Sequence, residues 1–276
     1  VPFSRAAFAW RYGDVVARNV ERALPEIERR DREVAATLAD RPRFQRSVAD
    51  FTAEQAAQWF QLARGAEPGS KRGAWVDDLV AIDPSIERLD RVLAEGRGAI
   101  VVTAHIGNWE LLCARLSRRG QRGAVVGRVR RHDSSHRWLI DMRKAYGVQT
   151  IPQDASARAP LRVLKEGGVL GLLTDLHVRH IDGVDIPFFG ISARTVSAAA
   201  GFARLQRSPL VPVRCVKDAT SGRFHLSVEE PLFLDETLDR GAAELDLLLR
   251  QNRVFEDWIM ATPEQWAWHQ RRWNPE

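Results

Sequence analysis

The spacing of hydrophobic positions changes character once along the chain, near Gly96. Before it, over residues 1–95, apolar side chains recur at helical intervals interrupted by Pro25, Pro42, Pro68 and Pro84, which predicts a helical N-terminal layer. Within that layer, Ser47 to Arg64 sets Phe51, Trp59, Phe60 and Leu62 among Ala and Gln. Such an amphipathic helix packs onto the rest of the protein or lies on a membrane surface. After Gly96, short β-rich apolar runs alternate with longer helical stretches. Strands are predicted over 99–104, 123–129, 148–151, 169–174, 210–216 and 224–228, and helices over 110–119, 134–146, 157–166, 195–206 and 241–260. A loop is expected from the end of the fourth strand to Ala193. Alternation of this kind implies an α/β fold with a mostly parallel central sheet flanked by helices. No linker, repeat or low-complexity tract divides residues 1–276, so a single domain is expected, with 1–95 as its helical layer and 96–276 as its α/β core.

Composition narrows the class without naming a function. A chain of 276 residues, 45% hydrophobic and 28% charged, with 19 Gly and 13 Pro, is globular and excludes collagen-like and disordered classes. Cys113 and Cys215 stand alone, which excludes a disulfide framework or a cysteine-ligated zinc site and suits a reducing compartment. Only Lys71, Lys144, Lys165 and Lys217 are lysines among 41 basic residues, so 37 are arginines in a chain of net charge +5. Arginine binds phosphate and carboxylate through a planar fork, so the excess suits anionic lipid or an acidic carrier; an arginine-favouring genome explains the total equally well. No run of 18 apolar residues exists, so neither a transmembrane helix nor a signal peptide is read from the sequence.

The most informative stretch is Val101-Val102-Thr103-Ala104-His105-Ile106-Gly107-Asn108-Trp109-Glu110. A buried strand runs into His105 and a helix begins within two residues, which puts the imidazole at the carboxyl edge of the sheet, where open α/β folds bind ligands. If the chain turns back through Gly107, Glu110 reaches one ring nitrogen and leaves the other as a general base. Spacing alone leaves open whether the pair is catalytic or structural.

His, four intervening residues and an acid resemble the signature of the glycerolipid acyltransferase superfamily. The wording "VVTAHIGNWELL" is similar to the branch that contains the lipid A late acyltransferases and actinobacterial relatives that acylate phosphatidylinositol mannosides. Further segments agree in order: "VVARNVERALPE", "AVVGRVRR", "MRKAYG", "EGGVLGLLTDLHVRHIDGVDIPFFG", "SARTVSAAAGFARL", "SPLVPV" and "PEQWAWHQRRW". The chain departs from the family pattern at Leu176, where Gln is usual after Asp175, at His269, one residue early, and in lacking the family's N-terminal membrane helix.

The resemblance implies an O-acyltransferase that moves a fatty acyl chain from an acyl thioester, on acyl carrier protein (ACP) or coenzyme A (CoA), to a hydroxyl of a glycolipid. The acceptor it implies first is a lipid A precursor in lipopolysaccharide biosynthesis, with a mannosylated phosphatidylinositol or another lyso-lipid as the alternative. His105 would be the base and Glu110 its orienting partner. Gly107 and Asn108 would supply backbone donors to the oxyanion. Arg128, Arg143, Asp175 and Arg194 would bind substrate. No cofactor beyond the thioester co-substrate and no metal is implied, and the expected location is the cytoplasmic face of the bacterial inner membrane, peripheral or through an N-terminal anchor. The other constellations are weaker. His132 with His136, and His177 with His180 near Asp182 and Asp185, lack a convincing further metal ligand. Gly190-Ile191-Ser192-Ala193-Arg194 lacks the second glycine of a nucleophile elbow. An arginine-rich nucleic-acid-binding protein leaves the buried strand into His105 unexplained, and the arginines are dispersed among acids, so no nucleic-acid partner is expected.

Overall fold

The computed structural model describes residues 5–65, 69–129, 133–178 and 181–273. Three helices open the chain: α1 (Arg5–Arg30), α2 (Arg32–Ala39) and α3 (Arg41–Ala63). Asp31 caps α2 by accepting the Glu33 and Val34 amides, and Asp40 caps α3 by accepting the Arg43 amide. Pro42 lies in the first turn of α3, where the absent N–H has no intrahelical acceptor to lose. Pro25, by contrast, sits inside α1 on its exposed side, so the sequence-level break there does not occur.

Helix α4 (Ala74–Leu79), strand β1 (Val80–Ile82) and helix α5 (Ile86–Ala94) follow. Strand β1 was missed in the sequence because three residues carry too little periodicity to register; it pairs in parallel with the distant strand β9 (Phe224–Val228). The sheet therefore recruits a strand from the segment read as purely helical. The other members are β2 (Ala99–Thr103), β3 (Gly123–Gly127), β4 (Val148–Pro152), β5 (Val169–Leu173) and β8 (Leu210–Lys217). Their order across the sheet is β1-β9-β8-β2-β5-β3-β4, with every pair parallel except β8 with β9.

Strand β2 is central and buried throughout. Ile100, Val102 and the following Ala104 face one core, shared with α1, α8 (Arg158–Lys165), α9 (Ala198–Gln206) and α10 (Arg240–Ala261). Ala99 and Val101 face the other, shared with α5, α6 (Trp109–Arg118) and α7 (Ser134–Ala145). A strand covered on both faces reads as a continuous apolar run, which is why this one was legible.

The expected loop before Ala193 is instead a hairpin, β6 (Gly183–Phe188) with β7 (Ile191–Val196), and α9 starts three residues later than predicted. Its two turn residues, Phe189 and Gly190, both have positive φ (48° and 73°), as a tight hairpin turn of the I′ type requires. A phenylalanine is a poor sequence signal for that conformation. Burial of its ring and donation of its amide to Glu256 Oε1 at 2.7 Å hold it there.

Candidate active site

The chain leaves β2 through Ala104 and enters a tight bend that aims His105 out of the carboxyl edge of the sheet. Ile106 bridges to Trp266 and the His105 carbonyl accepts the Ala267 amide at 2.9 Å, so the C-terminal segment straps the bend from outside. Gly107 has φ +58°, and a Cβ built on it would lie 2.0 Å from the Cys215 carbonyl oxygen. Only glycine fits between the bend and β8. Asn108 then caps α6 by accepting the Leu111 amide, while its side chain also joins Gln58 and Trp59 of α3.

The imidazole meets a carboxylate, and that carboxylate is Asp175. His105 Nδ1 lies 2.8 Å from Asp175 Oδ1, the His105 amide donates to Asp175 Oδ2 at 2.9 Å, and the Trp266 indole donates to the same oxygen at 2.8 Å. Asp175 follows β5, the strand next to β2, so adjacent strand ends bring together residues 70 apart in sequence. Asp175 is fully buried, which by itself would raise its pKa, yet the facing His105 and the three hydrogen bonds outweigh burial and hold it below the usual carboxylate range. With Nδ1 engaged, Nε2 is the nitrogen left to exchange a proton. The His105 side chain keeps 25% exposure, against none for Asp175, so the ring is reachable while its partner is sealed. Its face rests edge-on against Trp109 at 4.8 Å.

Glu110 does not contact His105, contrary to the sequence reading. As the second residue of α6 it points away into the interior, where Arg143 donates to it through Nη2 at 2.6 Å and through Nε at 3.2 and 3.1 Å, and Tyr146 donates its hydroxyl. Burial opposes the Arg143 charge, but Glu110 overrides it and raises the guanidinium pKa; burial and Glu110 together raise the Tyr146 phenol. Arg143 is thus the internal counter-ion of Glu110, which ties α6 to α7, and is not free to bind substrate. The physical reason is geometric: His105 precedes the helix and Glu110 lies within it, so the bend at Gly107 separates their directions.

The proposed oxyanion donors are also committed elsewhere. The Gly107 amide donates to the Gln265 carbonyl at 3.0 Å and the Asn108 amide to the Cys215 carbonyl at 2.8 Å. With Leu111 capped by the Asn108 side chain and Leu112 bonded to the Asn108 carbonyl, the first-turn amides left without these partners are those of Trp109 and Glu110.

Of the other arginines, Arg128 follows β3 at the same edge and is exposed, without a carboxylate partner among the described residues. Arg194 pairs across the hairpin with Asp185 at 3.6 Å. His136 Nδ1 donates to the Arg128 carbonyl at 2.9 Å, while His132 and His180 lie outside the described residues. Trp266, Trp268 and Trp273 are buried and belong to the core.

The sequence reading gave Trp266 only a place in core packing, although it also fixes Asp175, and assigned no role to His269. His269 packs against Phe8 and Tyr12; burial first, and then the neighbouring His105, push its pKa down to about 4. The C-terminal motif order was the available signal for both.

A cavity of about 460 Å³ opens on the α8–α9 side of this edge, lined by Val126, Pro152, Leu172, Thr174, Ala199 and Phe202 among others. It reaches Thr174, the residue immediately before Asp175. Its size falls within the range of small-molecule sites, about 300–1,000 Å³.

Comparison with known proteins places the whole chain among relatives. Phosphatidylinositol mannoside acyltransferase of Mycobacterium tuberculosis (strain ATCC 25618 / H37Rv) is 27% identical over 192 residues, 68% of this chain, and the matched region spans 58% of that relative's length. The protein of the same description from Mycolicibacterium smegmatis is 26% identical over 218 residues, covering 76% of this chain and 66% of that protein. Lipid A biosynthesis lauroyltransferase of Escherichia coli K12 is 24% identical over 272 residues, 97% of this chain and 80% of the relative. The profile described as bacterial lipid A biosynthesis acyltransferase matches residues 11–275. The chain belongs to that family.

Proposed function

We propose that this protein transfers a fatty acyl group from an acyl thioester to a hydroxyl of a glycolipid, with His105 as general base and Asp175 as its orienting carboxylate. The observation that carries the reading is the His105–Asp175 pair at the end of a buried strand, with the imidazole reachable from solvent and the carboxylate sealed, next to a largely apolar cavity, in a chain of this family. His105 Nε2 takes the proton of the acceptor hydroxyl as its oxygen attacks the thioester carbonyl. Asp175 keeps the proton on Nδ1 and faces the imidazolium that forms. The tetrahedral oxyanion is met by the first amides of α6, Trp109 and Glu110, at the positive end of the helix dipole. Collapse expels the thiolate, which leaves with the proton from Nε2 and returns the base to its starting state. The cavity beside Thr174 takes the acyl chain, and exposed Arg128 takes a phosphate of the acceptor or of the donor.

A lipid A precursor is the acceptor suggested by the family and by the relative matched along nearly the whole chain. A mannosylated phosphatidylinositol is the second reading, favoured by the somewhat higher identity of the mycobacterial relatives. No helix among the described residues is long and apolar enough to cross a membrane; the working surface in this reading is a membrane face. Incubating the purified chain with acyl-carrier-protein and acyl-CoA donors and each acceptor in parallel, followed by mass spectrometry, tests it. One added acyl mass on either glycolipid is the expected result. Absence of transfer to both, under conditions where control enzymes acylate them, overturns the reading.

A further inference from the structure

Behind the His105–Asp175 pair lies a buried cation that the mechanism above does not use. Arg272 has no exposed surface. Its Nη1 donates to the Arg194 carbonyl and its Nη2 to Thr195 Oγ1, each at 2.7 Å, and its Nε has no partner among the described residues. Among the described residues it forms no ion pair. Burying a charge without a paired opposite charge is costly, so this arrangement calls for a compensating role.

Its surroundings supply one. The guanidinium carbon stands 4.4 Å from the centroid of the Phe188 ring, Phe188 packs on Trp266 at 6.0 Å, and Trp266 donates its indole N–H to Asp175. Trp273 packs against both Phe188 and Trp266, at 6.0 and 6.4 Å, and donates its indole N–H to the Phe188 carbonyl at 3.3 Å. The neighbouring Arg271 carbonyl accepts the amide of His177, two residues beyond Asp175. The same short segment therefore supports the Asp175 loop mechanically and places a positive charge behind it.

We propose that Arg272 is a positioning residue for the His105 base: it fixes the Phe188–Trp266 stack that orients Asp175, and its charge favours the ionised form of Asp175. Among the described residues, the carboxylates whose fields reach Arg272 are Asp175, after β5, and Glu256, on α10. Glu256 is already engaged by Arg30, Arg253 and the Phe189 amide, which leaves Asp175 as the acid with fewer cationic partners. Beyond Asp175 stands His105, with His269 near it. Burial pushes the Arg272 pKa down, to about 10, which still leaves it charged at any working pH. A fixed positive charge at this place disfavours an imidazolium and favours a carboxylate.

The inference rests on His105 being the base, but its test does not need acyl transfer. The full chain, labelled with ¹⁵N-histidine and assigned with His105→Gln, is titrated by NMR to read the His105 midpoint. Neutral Arg272→Met is expected to raise that midpoint by roughly half a unit to one unit, whereas Arg272→Lys leaves it near the wild-type value. Arg272→Gln, which keeps a donor for the Arg194 carbonyl, gives the same upward shift and covers the case in which Met is not tolerated. In an acyl-transfer assay the acidic limb of the kcat/KM profile moves in step with the NMR midpoint, with KM little changed. Folded neutral variants with an unmoved His105 midpoint overturn the inference, even if their thermal stability falls, because a structural role alone would produce that result. If the wild type transfers no acyl group while the NMR shift is present, the proposed reaction fails and the electrostatic assignment stands.

Discussion

Replacing Asp175 with Asn changes one atom type in a site where each hydrogen is accounted for. Asp175 Oδ2 accepts two N–H groups, from the His105 amide at 2.9 Å and the Trp266 indole at 2.8 Å. Both donors are fixed by their own covalent frames, so the Asn carbonyl must occupy that position. Its NH2 group then occupies the Oδ1 position, 2.8 Å from His105 Nδ1. Two donors cannot face each other, so Nδ1 becomes the acceptor and the ring proton moves to Nε2. The nitrogen that should take the substrate proton is then blocked. The imidazolium formed during reaction also loses its buried counter-charge, and a charge-assisted hydrogen bond is worth about 1.5–3 kcal/mol. The two effects together give an expected loss of 10³ to 10⁴ in kcat, about 4–5.5 kcal/mol. The analogous replacement in a serine-protease triad costs about 10⁴. Single-turnover acyl transfer by Asp175→Asn, with circular dichroism to confirm the fold, measures it. A folded variant with kcat within a few-fold of wild type would refute the reasoning and return the orienting role to another group.

Glu110→Gln has a different expected signature: removing one member of a buried ion pair destabilises by about 3–5 kcal/mol, read as a lower denaturation midpoint, while the folded fraction retains far more activity than Asp175→Asn. Gly107→Ala forces a Cβ into the Cys215 carbonyl at a positive φ; a loss on the order of 3–5 kcal/mol is expected in chemical denaturation. His269, with its pKa pushed from 6.5 to about 4, is neutral when folded and protonated more readily when unfolded. Its contribution is therefore present above about pH 6.5 and lost as pH falls through 4, up to about 3 kcal/mol. His269→Phe should flatten that part of the stability profile, and an unchanged slope between pH 6.5 and 4 counts against it. Ala199→Trp narrows the cavity beside Thr174; competition between long and short acyl donors should shift toward the shorter chain, and an unchanged preference would move the acyl chain elsewhere.

The carboxyl-edge position of His105 was legible because β2 is buried on both faces and so reads as an unbroken apolar run ending in a polar residue. The strand and helix alternation after residue 96 was legible for the same reason, since burial leaves a period of 2 or 3.6 in the sequence. The three-residue strand β1 and the hairpin β6–β7 were not. One is too short to carry a period, and the other turns on a phenylalanine whose left-handed conformation is held by Glu256 and core packing. Spacing suggested Glu110 as the partner of His105, because a sequence displays neighbours along the chain and not the directions of side chains. Only the tertiary structure decided for Asp175, since β5 lies beside β2 and brings its end to the same edge. It likewise consigned Glu110 and Arg143 to the interior, committed the Gly107 and Asn108 amides to backbone carbonyls, and set Arg272 behind the site. Each of these depends on distant segments meeting, and the fold alone specifies which groups are left free to act.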